Sequence, residues 1–284
     1  MGFLRVHGLE IAYQRGGEGT PVVLVHGAGD DSRIWQPQLS ALADEFTVVA
    51  WDEPGAGRSS DVPSGFGLED YAACLAGLIE ALDLEPVHLL GLSWGGVVAL
   101  QTYADHPQLV GTLLLADTYA GWKGSLAADD VRARVAGVRQ MLTAPAGDRT
   151  AHVPGLFAGD APRAFAPLLA ELAAGARRES LATQLAAMAE ADLRVLLPQI
   201  AVPTLLVWGE QDLRSPLSVA RQFEQAIPDA TLVVLPDCGH LSNLEQPARF
   251  NEAVRSFCLA HPIRGTGDPP VRPGAREESR HDDQ

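Results

Sequence analysis

The sequence predicts an α/β fold: a mostly parallel, doubly wound sheet that opens with an antiparallel hairpin and carries a helical cap insertion. Three observations carry that prediction. Six short apolar runs rich in Val, Leu and Thr end in Gly, Asp or Pro, and continuous apolar runs mark strands buried on both faces, as in parallel sheets. Amphipathic stretches with helical spacing alternate with these runs, which winds a sheet between two layers of helices. One long interval, from about residue 122 to about 194, breaks the alternation with Ala-rich helical patterns and no strand-like run.

Taken in order, the opening FLRVHGLEIAYQRGGEG (residues 3–19) is hinged at His7-Gly8 into two short segments, the pattern of a hairpin on the sheet edge. PVVLVHG (21–27) and FTVVAWDEPG (46–55) are strands, followed by a helix over 68–82. VHLLGLS (87–93) is a strand that passes straight into a helix over 93–105, and GTLLLADT (111–118) is the next strand. The interruption then supplies helical stretches at 127–142, 161–178 and 180–193. PTLLVWGEQD (203–212), a helix over 217–227 and ATLVVLPD (230–237) restore the alternation. The expected organisation is a core of residues 1–121 and 195–261, a cap of residues 122–194 that roofs a substrate cavity, and a disordered tail of residues 262–284.

Composition narrows the function. With 284 residues, 46% of them hydrophobic and 20% charged, the chain can bury a sizeable core as one domain with an insertion. A net charge of -15 opposes nucleic acid and anionic membrane as partners, since both attract cationic surfaces. The start, MGFLRVHGLE, lacks an apolar core of signal-peptide length, so a cytoplasmic location is expected. Cys74, Cys238 and Cys258 are odd in number and lack metal-ligand spacing, the pattern of reduced structural thiols with no zinc site.

The stretch LLGLSWGGVVAL (89–100) sets a lone Ser between glycines where a buried strand becomes a helix. The spacing G-x-S-x-G presents a nucleophile on a tight strand-to-helix elbow, and Gly91 and Gly95 remove side chains that would clash there. Attack on a carbonyl also needs a base, an acid that orients it, and donors for the oxyanion. Of eight His, His240 follows the last strand at its carboxyl end, the edge where Ser93 emerges and where α/β sheets gather their chemistry. His7 falls in the hairpin, His88 within a strand, His106 at a helix end, and His261 and His281 at or beyond the last helix; His152 falls in the cap.

The acid must follow a strand as well. Asp212 lies in the loop beyond Trp208-Gly209, Glu210 directly follows the strand and is expected to point elsewhere, and Asp117, at the end of GTLLLADT, is the rival. Asp212 is preferred because the longer loop lets a carboxylate reach a His. The oxyanion donors are expected to be the backbone N–H of Trp94, at a helix start where N–H groups are unpaired, and that of Ala28 in HGAGDD. His26 then orients that loop, and Trp94 is expected to serve also as a wall of the pocket.

Four segments, VHGAGDDSRIW, WDEPGAGRSS, GLSWGG and the pair VWGEQD with GHLSNLEQPARFN, resemble the serine α/β-hydrolase family over residues 3–261, particularly its esterase, enol-lactonase and cofactor-free perhydrolase branch. The resemblance implies the α/β-hydrolase fold, Ser93 as nucleophile, Asp212 as acid, His240 as base, and Ala28 and Trp94 as oxyanion donors, in the family's chain order. It implies a structural WDEPGAGRSS loop held by Asp52. GLSWGG is similar to prolyl iminopeptidases, but HGAGDD lacks their Pro-containing loop, and Ser93 in place of Asp argues against haloalkane dehalogenases and epoxide hydrolases.

The expected reaction is two-step acyl transfer on a small, moderately apolar ester or lactone, with no metal and no cofactor required. Carbon–carbon hydrolysis, perhydrolysis, or ligand reception without catalysis are the alternatives on the same residues.

Overall fold

The computed structural model describes residues 1–143 and 155–263. His152 and all but the first two residues of the expected tail lie outside the described residues. The described chain forms one eight-stranded sheet in the order β1-β2-β4-β3-β5-β6-β7-β8. The strands are β1 (Gly2–Val6), β2 (Leu9–Gly16), β3 (Thr20–Val25), β4 (Phe46–Trp51), β5 (Val87–Leu92), β6 (Val110–Ala116), β7 (Thr204–Gly209) and β8 (Ala230–Leu235). β2 runs antiparallel to both β1 and β4, and every pair from β4 to β8 is parallel. The hairpin turns at His7 and Gly8, whose φ angles of 48° and 84° suit a tight turn.

The helices are α1 (Gln36–Leu42), α2 (Leu68–Ala81), α3 (Trp94–Asp105), α4 (Trp122–Ser125), α5 (Ala128–Thr143), α6 (Ala166–Gly175), α7 (Arg178–Glu190), α8 (Leu217–Ala226), α9 (Ser242–Glu245) and α10 (Pro247–Ala260). The continuous apolar runs have a direct structural cause. Every residue of β4, β5 and β7 is buried, because successive side chains point to opposite faces and both faces are covered. Val23, Val49, Leu89, Leu113 and Leu206 pack with α2, α3 and α8, whereas Val22, Val48, Leu90, Leu114 and Leu205 pack with α1 and α10.

Helices α4 to α7 lie between β6 and β7, where the helical interruption was expected. The stretch read as one helix over 161–178 is shorter: Pro167 stands in the first turn of α6, where a missing N–H costs nothing, and a 3₁₀ turn at Arg163–Phe165 precedes it. Helix α7 starts at Arg178, two residues before the expected 180. Among the described residues no helix is long and apolar enough to cross a membrane.

The carboxyl ends of β3, β5, β6, β7 and β8 meet at one edge, and the elbow between β5 and α3 sits among them. Ser93 holds φ 55° and ψ -118°, a left-handed conformation that L side chains rarely adopt. The close approach of α3 to β3 explains one glycine: a Cβ on Gly95 would stand 2.1 Å from the Val25 carbonyl oxygen and 2.6 Å from that of His26. Only a bare Cα fits between these backbones, so the elbow can form here and a methyl cannot.

Candidate active site

Three side chains from three loops meet at this edge. His240, in the loop after β8, places Nε2 2.9 Å from the Ser93 hydroxyl and Nδ1 2.8 Å from Oδ2 of Asp212. The line is held from its far end. Oδ1 of Asp212 accepts the backbone N–H groups of Arg214 at 2.7 Å and Ser215 at 2.9 Å, which leaves Oδ2 aimed at the imidazole. The hydroxyl of Ser215 in turn donates to the Thr118 carbonyl at 2.6 Å, fixing this loop to the end of β6. Asp212 and His240 are buried and Ser93 is partly open, so solvent reaches the hydroxyl more readily than its partners.

The His240 loop is set by Glu245 on α9, whose carboxylate accepts the N–H groups of Gly239 and Ala158. Asp117, the rival acid, is directed elsewhere. Its carboxyl accepts the Gly209 N–H at 2.8 Å and the Ser242 hydroxyl. Burial first, and then the charge of Asp212, push its pKa well above the usual carboxylate range. Glu210 is exposed and faces the Asp237 backbone. His88 is buried in β5 against the Thr112 hydroxyl at 2.7 Å, and His261 caps α10 at the Phe257 carbonyl.

His26 is buried between two backbones. Its Nε2 accepts the Glu53 N–H at 3.1 Å, so the ring proton resides on Nδ1, which donates to the Gly27 carbonyl at 2.9 Å. Burial lowers its pKa, which keeps the ring neutral in this arrangement. Asp52 accepts the N–H groups of Ser32 and Arg58, both at 2.9 Å, and so ties the loop after β4 to the loop after β3 as expected of WDEPGAGRSS.

The expectation that the Trp94 ring walls the pocket is corrected. The ring is fully buried, packed edge-on against Tyr71 at a centroid distance of 5.4 Å, and lines no open space. The cause is a residue that sequence reasoning missed. Glu53, also fully buried, accepts the Trp94 indole N–H at 3.0 and 3.2 Å and turns the ring inward. A second acidic residue, right behind Asp52 at the end of an apolar strand, was the available signal. Gln184 on α7, which donates to the same carboxyl, had no signal within its Ala-rich helix.

Asp30 was also passed over. A Cβ on Gly27 would stand 3.0 Å from Oδ2 of Asp30 and 3.6 Å from the Cβ of Ser93, so both side chains lie beside Gly27. Burial first, and the charge of Asp31 second, push it up to about 7. A carboxyl raised in the folded state keeps a proton that the unfolded chain has released. Stability is therefore lost as pH rises from about 4 to about 7. Asp30→Asn removes this loss, so its melting temperature relative to wild type should climb between pH 4 and pH 8; a constant difference would contradict the assignment.

A hydroxyl on a strained elbow, an imidazole on that hydroxyl and a carboxylate on the imidazole define a hydrolase of the serine type. The chain belongs to the α/β hydrolase fold family, whose family model matches residues 20–247. Among curated proteins it is 32% identical over 260 residues, 88% of this chain and 91% of the other, to "Putative carbamate hydrolase RutD" of Yersinia enterocolitica. Among solved structures it is similar to a thermophilic esterase from Thermogutta terrifontis, with TM-score 0.79, 30% identity, and 91% and 97% of the two chains covered. It is likewise similar to an enol-lactonase from Burkholderia xenovorans, with TM-score 0.80, 27% identity, and 91% and 100% covered.

Proposed function

We propose that this chain hydrolyses a carboxylic ester or lactone of a small, moderately apolar molecule, with Ser93 as nucleophile, His240 as general base and acid, and Asp212 as its orienting carboxylate. One observation carries the reading: the unbroken hydrogen-bonded line from the Ser93 hydroxyl through His240 to Asp212. Ser93 Oγ attacks the carbonyl carbon as its proton passes to His240 Nε2. The tetrahedral oxyanion is received by the N–H groups of Ala28 and Trp94. Collapse breaks the bond to the alkoxide, which leaves with the proton from Nε2. Water then gives a proton to Nε2 and attacks the acyl-enzyme; the second collapse frees the acid and returns the proton to Ser93.

Asp212 stabilises the imidazolium formed in each step and holds the tautomer that bares Nε2. The insertion of residues 122–194 acts as the cap that selects the acyl or alcohol group. The buried, unpaired thiols of Cys74, Cys238 and Cys258 suit a reducing compartment such as the cytoplasm.

A substrate panel tests the reading. p-Nitrophenyl butyrate and an aromatic δ-lactone should be turned over and should compete with a fluorophosphonate probe for Ser93. Turnover of an aryl carbamate alone would replace the ester reading. Turnover of a ring-cleavage dienoate alone would move the reaction to carbon–carbon bonds, and turnover only with peroxide would make it perhydrolysis. No probe labelling together with tight ligand binding would make the chain a receptor.

A further inference from the structure

The N–H of residue i+1 and the carbonyl of residue i belong to one rigid peptide plane and point in opposite directions. Pinning one therefore aims the other. The Gly27 carbonyl, behind the Ala28 N–H, accepts from His26 Nδ1 at 2.9 Å and from the Asp30 N–H at 3.2 Å. The Ser93 carbonyl, behind the Trp94 N–H, accepts from the Gly96 N–H at 3.0 Å and from the Thr118 hydroxyl. Each proposed oxyanion donor thus stands on a peptide held from the back.

The two peptides are also joined to each other, and the link passes through the helical insertion. Oε1 of Gln184 on α7 accepts the Gly29 N–H at 3.1 Å, fixing the peptide that follows Ala28. Nε2 of the same amide donates to Glu53, whose carboxyl holds the Trp94 indole. The Glu53 backbone N–H closes the ring on His26. Gln184 is 1% exposed, and Glu53, Trp94 and His26 are 0% exposed, so no member can exchange its partner for bulk water without opening the site. Beside this ring, a crevice of about 10 Å³ between α6, α7 and the loops after β3 and β4 has Gly29 and Gln184 among its walls. The insertion is seated on the oxyanion loop.

Resting on the reading of Ser93, Ala28 and Trp94 given above, we propose that Gln184 and Glu53 are positioning residues of the oxyanion hole, so that the hole is correctly shaped only when α7 of the insertion is docked. Neither side chain touches the reacting atoms. They act by fixing the separation and direction of two backbone N–H groups that belong to different loops. Burial holds the Glu53 pKa well above the usual carboxylate range, so its acceptor role needs no negative charge and an amide of the same shape can replace it.

The test compares ground-state and transition-state binding in the full chain. Losing a whole oxyanion donor costs about a hundredfold or more in kcat, so a donor left in place but misaimed should cost about tenfold. Gln184→Met keeps the length of the side chain and removes both hydrogen bonds. With p-nitrophenyl butyrate it should lower kcat about tenfold with KM within about twofold of wild type. An alkyl trifluoromethyl ketone, whose adduct places an oxyanion in the hole, should bind more weakly by the same factor as the loss in kcat/KM. Glu53→Leu should behave likewise, whereas Glu53→Gln should retain kcat within about threefold.

The inference is overturned if Gln184→Met or Glu53→Leu leaves kcat and ketone affinity within about twofold of wild type, if the loss falls wholly in KM, or if Glu53→Gln is as damaged as Glu53→Leu. Should Gln184→Met fail to fold, the two Glu53 variants decide by the same criteria. Wild-type activity in Ser93→Ala would instead bring down the reading of the site, a result separable from every Gln184 and Glu53 outcome.

Discussion

Ser93→Ala is expected to lower kcat on p-nitrophenyl butyrate by about a thousandfold or more and to abolish labelling by a fluorophosphonate. The expectation follows from geometry. The Ser93 hydroxyl is hydrogen-bonded at 2.9 Å to His240, and its left-handed backbone lifts it clear of both the strand and the helix it joins. No other described serine is bonded to that imidazole. Some rate above that of water should survive, because the backbone donors of the proposed oxyanion hole do not depend on the side chain of Ser93. Folding should survive as well, since the loss of one partly open hydroxyl leaves the elbow glycines in place. Unchanged turnover with unchanged melting temperature would refute the nucleophile assignment.

Asp212→Asn is expected to cost about a thousandfold or more in kcat, and Asp117→Asn about tenfold at most. Asp212 accepts hydrogen bonds from His240 Nδ1 and from two backbone N–H groups, so of the two carboxyls it alone is bonded to the imidazole. An amide at 212 can turn its NH₂ toward Nδ1, which forces the ring proton onto Nε2, where it blocks removal of the serine proton. Asp117 is different in kind. Its carboxyl is pushed toward the neutral form and bonds to the Gly209 N–H and the Ser242 hydroxyl, which supports the loops after β7 and β8. An amide of the same size can keep the Gly209 bond, and the Ser242 hydroxyl can turn to accept. Steady-state kinetics of the two variants, each checked by thermal unfolding, separates the roles. Equal losses would mean that both carboxyls serve His240.

Much of the architecture was legible because burial writes itself into the chain. Strands covered on both faces cannot alternate polar and apolar residues, so β4, β5 and β7 stand out as unbroken apolar runs. The glycines around Ser93 were legible for a steric reason: the clash that a Cβ on Gly95 would make with the Val25 carbonyl is severe enough to exclude every other residue. The hairpin turn at His7-Gly8 was readable on the same grounds, since a positive φ asks for such residues. Helix ends within the insertion were read less well, because its Ala-rich composition carries little punctuation beyond Pro167.

By itself, then, the chain determined a parallel sheet with a hairpin edge, a helical interruption, and a serine, an acid and a histidine each placed after its own strand. Local sterics and two-sided burial are properties of short segments, and short segments display them. Which carboxyl meets His240, why the Trp94 ring turns inward, and how Gln184 on α7 reaches both Gly29 and Glu53 were decided only by the tertiary structure. Those contacts join residues 28 to 155 positions apart. Their energy depends on ångström distances between loops brought together by packing, and no local pattern along the chain encodes such a distance.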